Sequence, residues 1–381
     1  MSEIKNIYIE TFRGIKNLRL ENLAPINILT GDNNCGKTSI LEVLQSLKSL
    51  GSFSVWRELL RRDVYPYRGL SYYEGFYDLF DINSEEKQIK YSMQIDEDFM
   101  DVQICAEETE VEVDAKEKDR LWGMRSVFED ESLEFEGTEL LSRLNLRLLV
   151  NQEEKDSIHV YEGQRSRIPF EKADSNKELS YNVVYISPVR HAEGTVFLNN
   201  VLEDPELYEE MIEILREYDE GIVSINYDTK NEAGINRGIY KVLSRTSRKA
   251  LPLNVYGDGM KKAILLMSAV VKAKNGILLL DEFETAIHTS AMNKTFHWIL
   301  RTCRKLNVQV FLTSHSKEAI DKVLKCAPEI QDDMALYTLY RGKEETLVRR
   351  LSGKDAVDRC STEKRNGPRY FCKNLIIDYS I

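Results

Sequence analysis

The sequence lacks the features that typify membrane, secreted and zinc-binding proteins. None of its six cysteines forms a CxxC pair or a zinc-like cluster, so we expect reduced thiols and a cytoplasmic location. The start, MSEIKNIYIE, has none of the charged, apolar and small-residue segments of a signal peptide. The longest mostly apolar stretch, residues 264–271, is much shorter than the roughly 20 residues of a membrane-spanning helix. These absences predict a cytoplasmic protein without a membrane partner.

The sequence also lacks an excess of positive charge and has no repeated segments. The formal net charge is −11, which argues against a protein that coats nucleic acid or an anionic membrane by bulk attraction. There is no internal repeat, no low-complexity tract and no long heptad region. At about 100–200 residues per domain, the 381 residues predict two or three domains with a sizeable core. A local basic face is compatible with this net charge.

Strands and helices alternate towards both ends of the chain. An apolar strand at residues 26–29 leads into a glycine-rich loop, and a helix follows whose apolar residues recur at helical spacing. The later pattern predicts, in order, a buried strand at 183–186, a helix at 203–219 capped by Glu203 or Asp204, a helix at 260–273, a strand at 277–280, a helix at 288–305 and a strand at 308–313. Alternation of this kind predicts a parallel sheet.

The middle of the chain has a different pattern. Between about residues 52 and 190 the helical periodicity weakens, and short segments alternate between apolar and polar residues. Strands are predicted at 88–95, 102–106, 110–113 and 144–150. We expect these segments to form an antiparallel, partly solvated sheet that packs on the rest of the protein.

A phosphate-binding loop is predicted between the first apolar strand and its helix. The GxxxxGK[ST] stretch consists of Gly31, Asp32, Asn33, Asn34, Cys35, Gly36, Lys37 and Thr38, and Ser39 follows it. Glycines let backbone N–H groups curl towards phosphate oxygens, while a lysine adds a mobile positive charge and a threonine offers a hydroxyl to Mg²⁺. The helix that starts here directs its positive dipole end at the anion. The motif predicts binding of ATP and Mg²⁺.

The strand at 277–280 ends in two acids, as Walker B strands do. Asp281 would hold Mg²⁺ directly or through water, and Glu282 would orient or deprotonate the attacking water. The next apolar strand ends in Thr313, Ser314, His315 and Ser316, where His315 would contact the γ-phosphate. Gly257, Asp258 and Gly259 open the helix before the Walker B strand, although such a stretch is also compatible with a simple turn.

The order of these motifs resembles that of ABC-type ATPase domains. More narrowly, the sequence resembles the OLD-like (AAA_15/AAA_21) group, which is related to the RecF and SMC ATPases. The resemblance is carried by five blocks, namely 12–14 (FRG), 31–42, 256–261, 281–288 (DEFETAIH) and 313–316. It implies an α/β fold with an ABC-type P-loop ATPase core, a mixed or parallel sheet and a strand-rich antiparallel middle region. The implied division is a core of residues 1–51 and 181–381 with an insertion at 52–180.

The resemblance also implies an ATP sandwich in a homodimer or higher oligomer. In such proteins the signature motif of one subunit closes over the P-loop ATP of the other. Carried over to this sequence, Gly257, Asp258 and Gly259 would contact the partner's γ-phosphate, and residues 284–288 would line the dimer interface. Arg13 occupies the place of a nucleotide-contacting basic residue.

Several family features are missing. There is no LSGGQ-like stretch of transporter ATPases, and Gln88, Gln94 and Gln103 are unconvincing as a Q-loop glutamine. The long coiled coil of SMC-like proteins is not visible. Too few residues follow His315 for a TOPRIM nuclease domain, so a nuclease would be a separate chain.

One basic and aromatic cluster follows the P-loop helix. It contains Arg57, Arg61, Arg62 and Arg68 interleaved with Trp56, Tyr65, Tyr67, Tyr72 and Tyr73. Such a cluster binds nucleic acid or a protein partner in some proteins, and in most it is a solvated helix face above core aromatics. Arg245, Arg248 and Lys249, and also Arg341, Arg349 and Arg350, are expected on ordinary solvated surfaces.

The function predicted from these motifs is ATP binding and hydrolysis by a dimer that switches state. The resemblance places it in prokaryotic antiphage defence, where it would control a separate nuclease or toxin-like effector. A RecF-like DNA-repair clamp is the main alternative, and binding of nucleic acid is left open. A transporter motor and a scaffold that holds ATP without hydrolysing it are further alternatives.

Overall fold

The structure is a computed structural model that describes residues 3–60, 70–122, 138–166, 180–188, 197–228, 239–285, 292–342 and 345–363. The strands are β1 (Ile4–Phe12), β2 (Ile15–Leu20), β3 (Ile26–Gly31), β4 (Gln88–Ile95), β5 (Asp98–Asp114), β6 (Thr138–Val150), β7 (Glu153–Tyr161), β8 (Val183–Ile186), β9 (Ile222–Asp228), β10 (Ile239–Ser244), β11 (Leu251–Pro252), β12 (Ile277–Leu280), β13 (Gln309–Thr313), β14 (Met334–Arg341) and β15 (Thr346–Ser352). The helices are α1 (Lys37–Gln45), α2 (Phe53–Glu58), α3 (Tyr72–Tyr77), α4 (Ala115–Trp122), α5 (Leu198–Leu202), α6 (Pro205–Leu215), α7 (Asp258–Lys272), α8 (Met292–Lys305), α9 (Lys317–Cys326) and α10 (Gly353–Glu363).

A mixed sheet of six strands forms the centre of the molecule, in the order β15-β14-β3-β13-β12-β8. All neighbouring strands in it are parallel except β14 and β15, which are antiparallel. Every residue of β12 and β13 is buried, as expected for parallel strands that are covered on both faces. The α/β fold with a mixed sheet is therefore confirmed, and so are the strands expected at 183–186, 277–280 and 308–313.

Alternate residues of the central strands face two different cores. Leu278 and Leu280 of β12 pack with residues of α5 to α9 on one side of the sheet. Ile277 and Leu279 pack on the other side with α1 and with the second sheet. Successive side chains of a strand point to opposite faces, so the apolar run at 277–280 supplies both layers. This arrangement holds the carboxyl ends of the parallel strands at one edge, next to the loop that precedes α1.

The second sheet is antiparallel, in the order β2-β1-β4-β5-β6-β7. The predicted antiparallel middle region is confirmed, but the segments 102–106 and 110–113 are parts of the single strand β5. Strands β1 and β2, from the start of the chain, belong to this sheet because β1 pairs with β4. The division into 1–51 with 181–381 and an insertion at 52–180 stays a proposal.

Several helices begin or end at residues that differ from the predicted bounds. The helix expected at 203–219 is α6, which ends at Leu215, and Asp204 caps it by accepting a hydrogen bond from the N–H of Leu207 at 3.1 Å. Helix α7 begins at Asp258, two residues before the predicted start. The helix expected at 288–305 is described from Met292 onwards. Among the described residues, no helix is both long and apolar enough to cross a membrane.

Candidate nucleotide-binding site

The loop between β3 and α1 owes its shape to three left-handed residues, Gly31, Asn34 and Gly36, with φ values of 145°, 62° and 97°. A Cβ atom at Gly31 would lie 2.4 Å from the carbonyl oxygen of Leu339. A Cβ at Gly36 would lie 2.8 Å from Cγ1 of Ile15. Both positions therefore require glycine, for the backbone angle and for space. No side chain caps the N-terminus of α1, which leaves its N–H groups directed at the loop.

Lys37 is buried inside this loop. Its ammonium donates hydrogen bonds to the carbonyl oxygens of Gly31 at 2.9 Å and Asp32 at 2.8 Å. Cys35 is buried beneath the ammonium, while Asp32, Asn33 and Asn34 are exposed. The loop thus holds its one lysine in place before any ligand is added, with exposed residues beside it.

Asp281 connects the P-loop helix to three strands. Its carboxylate accepts hydrogen bonds from the hydroxyls of Thr38 (3.1 Å), Thr313 (2.5 Å) and Tyr185 (3.2 Å). Asp281 is 3% exposed, so these donors stabilise a carboxylate that water hardly reaches. The donors come from α1, β13 and β8, because the ends of parallel strands meet at one edge of the sheet.

The pair Thr38 and Asp281 fits Mg²⁺. Mg²⁺ prefers oxygen ligands and commonly takes one or two from the protein, with substrate phosphates and water supplying the others. A hydroxyl and a carboxylate 3.1 Å apart, beside the phosphate-binding loop, are such a donor set. Among the described residues no cluster of three or more His, Cys, Asp or Glu side chains could hold a metal.

Glu282 has a left-handed backbone, with φ 48°. Its N–H donates to Oγ1 of Thr313 at 2.8 Å, and its carboxylate lies 3.5 Å from Nε2 of His315. The side chains of Glu282 and His315 are 39% and 38% exposed, respectively. A non-glycine residue rarely adopts this conformation, and such strain is concentrated at functional sites. Here the turn presents the carboxylate to solvent directly after a buried strand.

Two residues organise this end of the site. Thr313 donates to Asp281 and accepts from Glu282, so a single hydroxyl fixes the relative position of both acids. Glu284 accepts hydrogen bonds from the N–H groups of His315 (2.9 Å) and Ser316 (3.3 Å), and so holds the histidine loop against the end of β12. Sequence reasoning assigned no such role to Thr313, Tyr185 or Glu284, since only pairing between distant strands brings them together.

An open cavity of about 600 Å³ lies beside the P-loop, Glu282 and His315. The described residues that line it are Arg13, Gly14, Ile15, Asn33, Asn34, Gly36, Lys37, Thr38, Ser39, Glu282, His315 and Arg341. The structure therefore brings together most of the predicted nucleotide-binding residues. It also adds Arg341, which the sequence placed on an ordinary solvated surface. Gln88, Gln94 and Gln103 are not part of this lining and lie on β4 and β5.

Arg13 lies at the wall of the cavity, but its guanidinium is engaged by the protein. Nε is 2.9 Å from a carboxylate oxygen of Glu42 on α1. The two terminal nitrogens donate to the carbonyl oxygens of Leu59 at 3.0 Å and Asp78 at 3.1 Å. Arg13 thus ties the β1–β2 turn to the P-loop helix, and a contact between Arg13 and the nucleotide stays a prediction.

Gly257, Asp258 and Gly259 lie at the start of α7 and do not line this cavity as the described residues form it. Gly257 and Asp258 are exposed, and no side-chain hydrogen bond caps the helix. A hydrogen bond from Lys261 lowers the pKa of the Asp258 carboxyl, so this residue is an anion at neutral pH.

Some predicted residues lie outside the part of the chain that the structure describes. They are residues 286–288 of the predicted interface and, in the basic and aromatic cluster, Arg61, Arg62, Tyr65, Tyr67 and Arg68.

Residues 26–321 match the profile of the family described as "AAA domain, putative AbiEii toxin, Type IV TA system". The chain belongs to this family. A protein named ATP/GTP phosphatase from Helicobacter pylori is 27% identical over 346 residues, which are 84% of this chain and 86% of the relative. An uncharacterised protein of Methanocaldococcus jannaschii is 41% identical over 97 residues, or 25% of this chain and 43% of the relative.

Two solved structures are also similar. An Smc head domain with an extended coiled coil, bound to the C-terminal domain of ScpA from Pyrococcus furiosus, has a TM-score of 0.49 at 11% identity, covering 96% of this chain and 100% of that one. The recombination mediator protein RecF-ATP has a TM-score of 0.41 at 13% identity, covering 92% of this chain and 99% of that one.

Membership of the AAA-domain family, together with a P-loop facing a Walker B pair, makes the chain a P-loop ATPase.

A valine at position 313 tests the arrangement of the two acids. Thr313→Val keeps the shape of the side chain but removes two hydrogen bonds, the one that Thr313 donates to the Asp281 carboxylate and the one that it accepts from the Glu282 N–H. A bond to a charged group contributes about 1.5–3 kcal/mol and a neutral bond about 0.5–1.5 kcal/mol. We expect kcat/KM for ATP to fall about tenfold or more, measured by phosphate release. Thr302→Val, which changes a buried threonine of α8 outside the cavity, is the matched control and should retain activity. Equal activities of the two variants would contradict the role of Thr313.

Proposed function

We propose that two copies of this chain close head-to-tail on two ATP molecules, and that this dimer controls a separate effector protein in prokaryotic antiphage defence. The observation that carries the proposal is the place of Gly257, which lies at an exposed, uncapped helix N-terminus outside the chain's own nucleotide cavity. An N-terminus of this kind binds anions through its free N–H groups and its dipole. A γ-phosphate held by a second copy is the anion that the family resemblance suggests.

The surroundings of Gly257 and Gly259 favour a close approach by a phosphate. Apart from the adjacent residues and the helix's own backbone, a Cβ atom built at Gly257 would meet no atom of the described residues within 4 Å. A Cβ atom built at Gly259 would lie 3.4 Å from the ring of Tyr218. Internal packing therefore does not demand glycine at either position. Since a glycine removes the side chain between the backbone N–H groups and a ligand, this stretch suits direct contact with a partner's nucleotide.

In the proposed cycle the P-loop N–H groups and Lys37 bind the phosphates, and Thr38 and Asp281 hold Mg²⁺. Bound there, Mg²⁺ would neutralise charge on the β- and γ-phosphate oxygens. Glu282 orients the attacking water and accepts its proton, and His315 lies where it would contact the γ-phosphate. Thr313 and Glu284 keep these two groups in register. Closing on ATP and opening after hydrolysis would then be the two states that an effector reads.

Mixing two inactive variants tests the dimer. Lys37→Ala removes the P-loop lysine but leaves the signature helix intact, whereas Gly257→Asp adds a negative charge at the signature and leaves the P-loop intact. Gly257 has φ −62°, so aspartate fits its backbone. Each variant alone should lack ATPase activity, and the mixture should regain about a quarter of wild-type activity, since half of the dimers are mixed and each has one complete site.

The exposed charge itself requires a control. Asn226→Asp adds the same charge at an exposed position of β9 and should leave activity near the wild-type level. If Gly257→Asp alone is fully active, the signature makes no contact with a partner's nucleotide. If the mixture stays inactive while each variant binds a wild-type chain, the head-to-tail arrangement is wrong.

The defence role rests on the OLD-like resemblance and on the family description, which names a putative toxin of a type IV toxin–antitoxin system. A pull-down from the native host with tagged Glu282→Gln protein and ATP·Mg²⁺ tests it, with Lys37→Ala protein as the nucleotide-free control. Recovery of a nuclease or toxin-like protein only in the presence of ATP would support the proposal. Recovery of DNA and repair proteins alone would favour the RecF-like clamp instead.

A further inference from the structure

Arg341 is carried beside the P-loop by the pairing of two parallel strands. In the register between β14 and β3, Leu339 lies opposite Gly31, and Arg341 is two residues further along. The contact is close, because a Cβ at Gly31 would lie only 2.4 Å from the carbonyl oxygen of Leu339. Arg341 therefore extends from a strand packed tightly against the first glycine of the loop, and its side chain lines the nucleotide cavity.

The cations of the cavity differ in what they already contact. Arg13 is paired with Glu42, and Lys37 donates to two carbonyl oxygens of the loop. Arg341 is exposed, and within the described part of the chain it makes no hydrogen bond or ion pair that would hold its guanidinium away from the cavity. Arg350 on the neighbouring strand is different, because it donates to Tyr337 and Asn22. Arg341 is thus a charged donor available to an anion in the cavity.

The order of the strands indicates which phosphates of a bound nucleotide would lie near Arg341. Strand β3 lies between β13 and β14. The groups that act on the terminal phosphate follow β12 and β13, on one side of the P-loop: Asp281, Glu282 and His315. Arg341 follows β14, on the other side. A triphosphate whose terminal group faces Glu282 and His315 therefore presents its inner phosphates, which ATP and ADP share, towards the flank of Arg341.

We infer that Arg341 binds the α- or β-phosphate of the nucleotide in its own chain's P-loop cavity. The inference rests on nucleotide binding at the P-loop, the first step of the proposed function, and does not require the dimer. An arginine suits this place because its planar donor group forms paired hydrogen bonds with phosphate oxygens. Arg341 is then an affinity residue for the whole nucleotide and not a group that acts on the bond to be cleaved.

The test compares Arg341→Ala, Arg341→Lys and the control Arg349→Ala by isothermal titration with ATP and with ADP. Arg349 lies on β15 outside the cavity lining, so its variant loses the same charge elsewhere. All ATP titrations use a Glu282→Gln background so that ATP is not consumed. We expect Arg341→Ala to weaken ATP and ADP binding to the same extent, by about tenfold or more. Arg341→Lys should bind both nucleotides more tightly than Arg341→Ala but more weakly than the parent protein. The control Arg349→Ala should bind them as tightly as the parent protein.

Three outcomes have separate meanings. Weaker binding of ATP with unchanged binding of ADP would place Arg341 at the terminal phosphate and overturn the inference. Equal affinities of the Arg341→Ala and Arg349→Ala proteins would also overturn it. Failure of the parent protein, with Arg341 intact, to bind either nucleotide would instead refute the proposed function. Thermal melting of each variant, compared with the parent, separates loss of the contact from loss of the fold.

Discussion

Lys37→Ala is expected to reduce the affinity for ATP about a hundredfold or more and to abolish hydrolysis. The ammonium supplies a charge to the phosphates at the centre of the loop, and charge-assisted hydrogen bonds to phosphate are among the strong ones in proteins. Its removal also leaves the carbonyl oxygens of Gly31 and Asp32 without their donor, so the loop loses a fixed shape as well as a charge. Titration with a fluorescent ATP analogue measures the affinity.

The control for this variant is Lys48→Ala. Lys48 lies at the end of the 3₁₀ turn that follows α1 and pairs with Glu58, outside the cavity. An ion pair between partly exposed side chains contributes at most about 1 kcal/mol, so both ATP affinity and stability should change little. Near-normal ATP binding by Lys37→Ala would contradict the P-loop assignment.

Glu282→Gln should separate binding from hydrolysis. Glutamine has the size of glutamate, so the left-handed backbone and the hydrogen bond from its N–H to Thr313 are expected to persist. It cannot accept a proton from water, and a general base contributes typically 10²–10⁴-fold to a rate. We expect kcat to fall about a thousandfold while ATP affinity stays within a few-fold of wild type. Single-turnover hydrolysis and equilibrium titration measure the two quantities.

A neighbouring acid provides the matched control. Glu284 accepts hydrogen bonds from the N–H groups of His315 and Ser316, and the amide oxygen of Glu284→Gln can still accept them. Its kcat should therefore stay within a few-fold of wild type. Equal losses in the two variants would mean that the negative charge at this edge, and not the base at position 282, limits the reaction.

Much of the site follows from local sequence. A glycine-rich loop between an apolar strand and a helix can direct successive backbone N–H groups at an anion, so the roles proposed for Gly31, Gly36 and Lys37 needed no tertiary information. The continuous apolar run before Asp281 likewise predicts a buried parallel strand with acids at its end. Strand periodicity also predicted the antiparallel character of the middle region, although it divided β5 into two pieces.

Other features depend on contacts between distant parts of the chain. Thr313 binds both acids because β13 lies beside β12, and Tyr185 reaches Asp281 because β8 lies on the other side of β12. Arg13 fitted a nucleotide-contacting pattern in the sequence, but its guanidinium pairs with Glu42. Arg341 looked like a surface residue, and only the pairing of β14 with β3 carries it to the cavity.

The sequence by itself predicted phosphate binding at residues 31–38, two acids after a buried strand, and an α/β fold with parallel strands. Local patterns suffice for such features because loop geometry and strand burial are properties of short segments. The tertiary structure decided which of the described residues meet at the cavity and which lie apart from it, as Gly257 does. Strand order is a long-range property, set by how two cores pack on one sheet, and no short segment specifies it.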